Sequence, residues 1–197
     1  MDTMIATTAD VDPTARIGAG CRVWHLAQIR EDAQLGEGCV VGRGAYIDAG
    51  VQLGRNCKLQ NYALVYAPAQ LGDGVFVGPA AVLTNDVYPR AVTPEGKRKG
   101  ADDWQITGVT VGEGASIGSR AVIVGGVAVG RWALVGAGAV VTRDVGDFAL
   151  VVGVPARRIG WVGEAGIPLI AHTGATWRCP HNGATYLEAN GRLIAQP

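Results

Sequence analysis

Aliphatic side chains recur every six residues along the first half of the chain, from Val11 through Ile17, Val23, Ile29, Leu35, Val41, Ile47, Leu53, Leu59, Val65, Leu71 and Val77 to Leu83, without a slip of phase. Four residues behind each stands a small one, always Ala, Cys or Val, from Ala15 to Val87. After an interruption the pattern resumes in a new phase at Val111 and runs through Ile117, Ile123, Val129 and Val135 to Val141. A period of six fits neither the 3.6-residue turn of a helix nor the alternation of a half-buried strand. It fits a short strand followed by a corner, with three such sides closing one turn of a prism. The pattern predicts an all-β fold, a single-stranded parallel β-helix whose eighteen-residue coils each rise by one strand spacing, about 4.8 Å. About nineteen sides give roughly six coils.

On this wheel the aliphatic residue points inward and the small one fills the space beside the corner. A glycine directly after the aliphatic position, as at Gly18, Gly36 and Gly54, permits the tight backbone there. Cys21, Cys39 and Cys57 are spaced by one coil and hold small-residue positions, which predicts one interior column rather than metal or redox chemistry. Between Val87 and Val109 the pattern vanishes in a stretch with two prolines and the basic run Lys97, Arg98 and Lys99. This segment, about residues 88–108, is predicted to leave the prism as an extruded loop, and loops of that length are more often functional than not. Lys97, Arg98 and Lys99 read as its solvated face. Pro155 ends the last coil, with a short helix or turn capping the open end. The turns Asn182-Gly183 and Asn190-Gly191 mark a small hairpin. Residues 1–165 are therefore expected to form the β-helix and 166–197 a C-terminal appendage.

Composition then narrows the chemistry. Hydrophobic residues make up 48% but aromatics only 6%, so the core is built from Val, Ile, Leu and Ala. Lys plus Arg and Asp plus Glu are 17 each, a formal net charge of zero. Such a balance gives no global footprint for nucleic acid or a membrane surface and favours a small polar substrate. The N-terminal MDTMIATTADVDP lacks a basic segment followed by an apolar one, and no apolar run nears the roughly 18 residues of a membrane span. A soluble, cytoplasmic protein is expected.

Arrays of this kind resemble the left-handed β-helix acyltransferases, which are typically homotrimers that bind acyl-CoA between neighbouring prisms; handedness and trimer are implied by the resemblance alone. More narrowly, RVWHLAQIRE, KLQNYALVY, VFVGPAAVLTNDVYPRA and VGAGAVVTRDVGDFALVVGVPARRIGW are similar to segments of the bacterial N-acetyltransferases of 3-amino nucleotide sugars. The resemblance covers about residues 11 to 163. It implies acetyl-CoA as co-substrate and, as acceptor, an amine on a UDP-2-acetamido-3-amino-glucuronate or a dTDP-3-amino-3,6-dideoxyhexose. The pathway implied is the biosynthesis of a lipopolysaccharide or other polysaccharide.

Asn85 matches the family's Thr-Asn just before the extruded loop, where the amide is implied to hold the substrate amine. The chemistry suits it, since a carboxamide oxygen accepting one N–H bond aims the amine lone pair without adding charge. His25 matches the family's Trp-His and stays open between a general base, a contact to the nucleotide end and a surface residue. Asn85 lies a little over three coils further along, roughly 16 Å axially, too far for both to touch one amine. Asn61 falls in the column of His25 two coils on, and with Tyr66 it is a candidate for the sugar pocket; a corner Asn adopting left-handed geometry would look the same. Arg90 suits a pyrophosphate or sugar carboxylate. On the cofactor side, Gly125, Ala137 and their glycine neighbours give small corners for the pantetheine arm. The resemblance adds Thr142 and Arg143 there and places Pro155, Arg157 and Arg158 near the adenine and its phosphates.

Other readings remain. The γ-type carbonic anhydrases use this prism but need three histidines, and only His25 lies among the repeats, because His172 and His181 are in the tail. Cys179 and His181 supply two of the four ligands of a zinc ribbon and read as structural, so no metal is expected. A hexapeptide acyltransferase with another amine or hydroxyl acceptor, or a non-enzymatic β-helical assembly module, would share the repeats.

Overall fold

A computed structural model describes residues 2–196. Its strands are two residues long and follow the predicted period: Arg22–Val23, Gln28–Ile29 and Gln34–Leu35 make one coil. Stacked coils give a left-handed β-helix with three parallel faces. The first face runs from Met4–Ile5 to Ala149–Val152, the second from Asp10–Val11 to Val140–Val141, and the third from Arg16–Ile17 to Ala128–Val129. We call the corner between the first and second faces the first edge, and that between the second and third faces the second edge. Arg22 pairs with Val40 and Val40 with Lys58, one coil of eighteen residues each time.

The interior is built as the six-residue pattern requires. Val23, Val41, Leu59 and Val77 are wholly buried on the first face, Ala27, Ala45, Ala63 and Ala81 close the first edge, and among the described residues no polar or charged side chain is buried. Cys21, Cys39 and Cys57 form one interior column, and their thiols donate to the carbonyls of Gly36, Gly54 and Gly72 at 3.2, 3.1 and 3.1 Å. The glycines after the aliphatic positions are required by the coil stacked against them: a Cβ on Gly36 would lie 2.7 Å from the Arg55 backbone nitrogen. Left-handed backbone falls two residues further on and is not confined to glycine. On the first edge Gly44 has φ 62°, but Leu26 and Tyr62 both have φ 60°.

Three details differ from the sequence-based expectation. The prism has seven full coils and part of an eighth, because Met4–Ile5 adds a side at the start and Val145 and Ala149–Val152 add two at the end. Ile5 is in phase with Val11, but it lies on an uncovered end and is 46% exposed. Val87 does not fill an interior slot, since the chain leaves the prism after Thr84; Val109 takes that place, fully buried and hydrogen-bonded to Gln70. Leu83 pairs with Ile123, 40 residues on, so the loop inserts 22 residues into one coil (40 − 18). The tail is a four-stranded antiparallel sheet rather than a hairpin: Ile170–Ala171, Thr176–Arg178, Thr185–Ala189 and Arg192–Ala195. At the end of the prism a turn through Pro155 sends Arg157–Trp161 back antiparallel to Ala149–Val152. Tyr186 of the tail sheet is buried beside Phe148, their ring centres 5.5 Å apart. No helix among the described residues is long and apolar enough to cross a membrane.

Candidate functional site

Register gives the second edge its composition. The residue two after each second-face aliphatic lies on it, so Glu31, Ala49, Ala67, Asn85, Gly125 and Arg143 follow one another up successive coils. The residue before each makes an adjacent column of Arg30, Asp48, Tyr66, Thr84, Val124 and Thr142. Five of the residues singled out from the sequence, Tyr66, Asn85, Gly125, Thr142 and Arg143, thus share one edge. Asn85 to Arg143 is two coils, about 10 Å.

Asn85 is where the extruded loop departs, and its carboxamide is oriented. Nδ2 donates to the Ala67 carbonyl at 2.8 Å, while the backbone carbonyl accepts from Thr107 at 2.9 Å. Oδ1 accepts no hydrogen bond from the described residues and remains free to receive one. Directly above it, a Cβ on Gly125 would lie 3.2 Å from Asn85 and 2.7 Å from the Thr107 carbonyl, so only glycine fits. Thr84 Oγ accepts from the Gly125 N–H at 3.0 Å and ties the two coils across the loop.

Below Asn85 the same edge carries a polar chain. Asp48 accepts from the Tyr46 hydroxyl at 2.7 Å, the Ala49 N–H at 2.9 Å and the Ala67 N–H at 3.1 Å, and Arg30 stands 3.7 Å away. Burial alone would raise the Asp48 carboxyl, but these donors outweigh it and hold the group below the usual carboxylate range. Arg30 also donates to Tyr46 at 3.1 Å and grips Glu31 through two nitrogens, and the Tyr46 and Tyr66 rings pack 5.4 Å apart. Asp48 therefore fixes Ala67, and Ala67 fixes the Asn85 amide.

At the far end of the edge, Arg143, Arg157 and Arg158 line one cavity of about 310 Å³ with Trp161 and Gly191. Sequence reasoning assigned these arginines to one group, and the turn through Pro155 is what brings the last two back beside the first. Pro155 and Thr142 are exposed next to it.

The first edge collects the others. His25, Arg43 and Asn61 stand on successive coils and, with Trp24 and Gln60, line a groove of about 280 Å³. Thr8 Oγ is 2.9 Å from His25 Nδ1. Asn61 is not in left-handed backbone; Tyr62 is, and Asn61 Oδ1 instead accepts from the Arg43 N–H at 3.0 Å. His25 and Asn85 are thus separated by more than axial rise, because they border the second face from opposite edges. Ala137 also lies on the first edge, apart from Gly125, and Arg90 is exposed on the loop, bonded only to the Pro89 carbonyl at 3.0 Å. Tyr46, Asp48 and Ala67 were not found from sequence, although the wheel that stacked Asn61 on His25 stacks Ala67 beneath Asn85. Among the described residues no three His, Cys, Asp or Glu side chains come together as a metal-ligand set.

Comparison with known proteins bears on the repeats and the fold. The model for the bacterial transferase hexapeptide (six repeats) matches residues 14–49 and 108–143, and that for the hexapeptide repeat of succinyl-transferase matches 33–67. No curated protein is significantly similar in sequence. Among solved structures, the chain is similar to a histidine-to-alanine variant of GDP-perosamine N-acetyl transferase from Caulobacter crescentus, in complex with CoA and GDP-perosamine. The identity is 28% over 81% of this chain and 57% of that one, with a TM-score of 0.52. The match thus spans little more than half the Caulobacter enzyme. Galactoside acetyltransferase in complex with coenzyme A is 26% identical over 68% of this chain and 66% of that one, TM-score 0.57. A hexapeptide-repeat acetyltransferase of Vibrio cholerae O1 biovar eltor shares the fold, at 24% identity over 66% of this chain and 70% of that one and a TM-score of 0.54. With its eighteen-residue register and its three parallel faces, the chain carries hexapeptide repeats of the kind these family models describe and shares the left-handed β-helix fold of these acetyltransferase structures.

Proposed function

We propose that the protein transfers the acetyl group of acetyl-CoA to the amine of a nucleotide-linked sugar, a 3-amino sugar of the UDP-glucuronate or dTDP-6-deoxyhexose type. The observation that carries this reading is the Asn85 carboxamide, held by its nitrogen on Ala67 with its oxygen free at the loop mouth. An amine donating one N–H to that oxygen has its lone pair directed and no added charge nearby. The pantetheine arm runs down the second edge from the arginine cavity past Gly125, where the lack of a side chain admits it beside Asn85. The nitrogen attacks the thioester carbonyl, the C–S bond breaks as the tetrahedral intermediate collapses, and the departing CoA thiolate takes the amine proton. No protein base is needed for that balance.

His25 and Asn61 serve the nucleotide end in this reading, from a neighbouring copy in a homotrimer. Support comes from the surface. From the third coil upward the outward residues of the second face are Tyr46, Leu64, Val82, Val122 and Val140, whereas those of the third face are Gln52, Gln70, Thr110 and Ala128. Trp24, Leu26 and Tyr62 on the first edge are 42, 53 and 54% exposed, an apolar patch that a neighbour would cover.

The test is incubation with acetyl-CoA and a panel of UDP-, dTDP- and GDP-linked amino sugars, followed by mass spectrometry. Gain of one acetyl group on a 3-amino sugar supports the reading. Acetylation of a hydroxyl acceptor alone, or of no acceptor, contradicts it.

A further inference from the structure

The tail sheet meets the last coil through one carboxylate. Glu188 Oε2 accepts from two indoles, Trp161 Nε1 at 3.0 Å and Trp177 Nε1 at 2.9 Å. Its other oxygen stands 3.8 Å from Arg158. Arg158 in turn donates to the Gly191 carbonyl at 3.3 Å and lies 4.1 Å over the Trp161 ring. An ion pair this exposed adds little to stability, the side chains being 42 and 28% accessible. What the contacts do is fix direction: Trp161 and the two tail groups hold Arg158 at the wall of the arginine cavity, and Gly191 is itself part of that wall.

The cavity favours anions. Arg143 and Arg157 have no acidic partner within ion-pair distance among the described residues, and the only carboxylate on its lining, Asp144, accepts from the Ala128 N–H at 2.9 Å. Guanidinium groups converging in a cleft match phosphate oxygens better than they match a neutral ligand.

We infer that the C-terminal sheet is a working wall of the donor site: Glu188, clamped by Trp161 and Trp177, is a positioning residue that holds Arg158 for the phosphate groups at the nucleotide end of acetyl-CoA. This rests on the reading of acetyl-CoA as donor. The test measures KM and kcat with acetyl-CoA, 3′-dephospho-acetyl-CoA and acetyl-pantetheine for the wild type, Glu188→Gln, Arg158→Ala and Trp177→Phe. Glu188→Gln and Arg158→Ala should raise KM for acetyl-CoA roughly tenfold, the range of one charge-assisted contact. Trp177→Phe should raise it less, and kcat, KM for the amino sugar and KM for acetyl-pantetheine should stay put. If the dephospho donor escapes the effect, Arg158 serves the 3′-phosphate; if it shares the effect, Arg158 serves the diphosphate. Either outcome supports the assignment. An unchanged KM for acetyl-CoA in both Glu188→Gln and Arg158→Ala overturns it, as does an equal rise for all three donors, which a merely structural tail would give. Calorimetric titration of folded wild type with CoA separates the two levels, since absence of binding there overturns the donor reading itself.

Discussion

The two edges that flank the second face are made by the same repeat and differ in how their polar groups are held. On the second edge the groups around the loop mouth are tied to the next coil: Asp48 to Ala67, Ala67 to Asn85, Thr84 to Gly125. The carboxamide at the top of that chain is left with one directed acceptor. On the first edge His25 and Asn61 also bond across coils, to Thr8 and to the Arg43 N–H, but they line an open groove beside exposed Trp24. A positioned group suits a step that depends on alignment, and an open, adaptable one suits binding. Under the proposed function the contrast corresponds to a division between chemistry and recognition.

The largest test of that contrast is removal of the directed acceptor. Asn85→Ala is expected to lower kcat by about 10²- to 10³-fold with little change in KM for acetyl-CoA, the loss usual for one preorganised polar group; steady-state kinetics reads it. Loss of the support beneath comes next. Asp48→Ala should lower kcat roughly tenfold while leaving the cofactor KM unchanged, because a misplaced group costs rate before it costs affinity. On the other edge the pattern should invert: His25→Ala is expected to raise KM for the nucleotide sugar about five- to tenfold with kcat nearly unaltered, as loss of uniform binding requires. A collapse of kcat in His25→Ala would exchange the roles of the edges.

The smallest effect is a dependence on pH. The Asp48 carboxyl titrates below its ordinary 3.8 in the folded protein. Its charged form therefore stabilises the fold fully above about pH 4, and the contribution fades as pH falls through the lower folded value. The difference in melting temperature between wild type and Asp48→Asn should be flat from about pH 5 to about pH 9 and shrink only in stronger acid. A gap that varied near neutrality would show that another group governs this edge.

Much of this was legible because the repeat converts sequence spacing into position. Eighteen-residue spacing alone put Cys21, Cys39 and Cys57 in one interior column and Asn61 above His25, since from the second coil onward each strand of the prism is fixed in register by a buried aliphatic. The same arithmetic fails wherever the coil length changes. Val129 meets Val145 and Val135 meets Val151, sixteen residues on, so the last coil is two residues short. Which edge a residue occupies follows from its phase, and that step separates Ala137 from Gly125 and His25 from Asn85. The tail obeyed no repeat, so its four strands and the contact of Glu188 with Trp161 and Trp177 had no spacing to announce them. Hydrogen bonds such as Asp48 to Ala67 depend on side-chain direction, which periodicity does not carry.

A crystal structure with CoA and the amino nucleotide sugar would test the division of labour between the edges most directly. The amine nitrogen should lie within about 3.2 Å of Asn85 Oδ1, with the pantetheine arm against Gly125. An amine seated instead at His25, with the arm on the edge of Ala137, would contradict it.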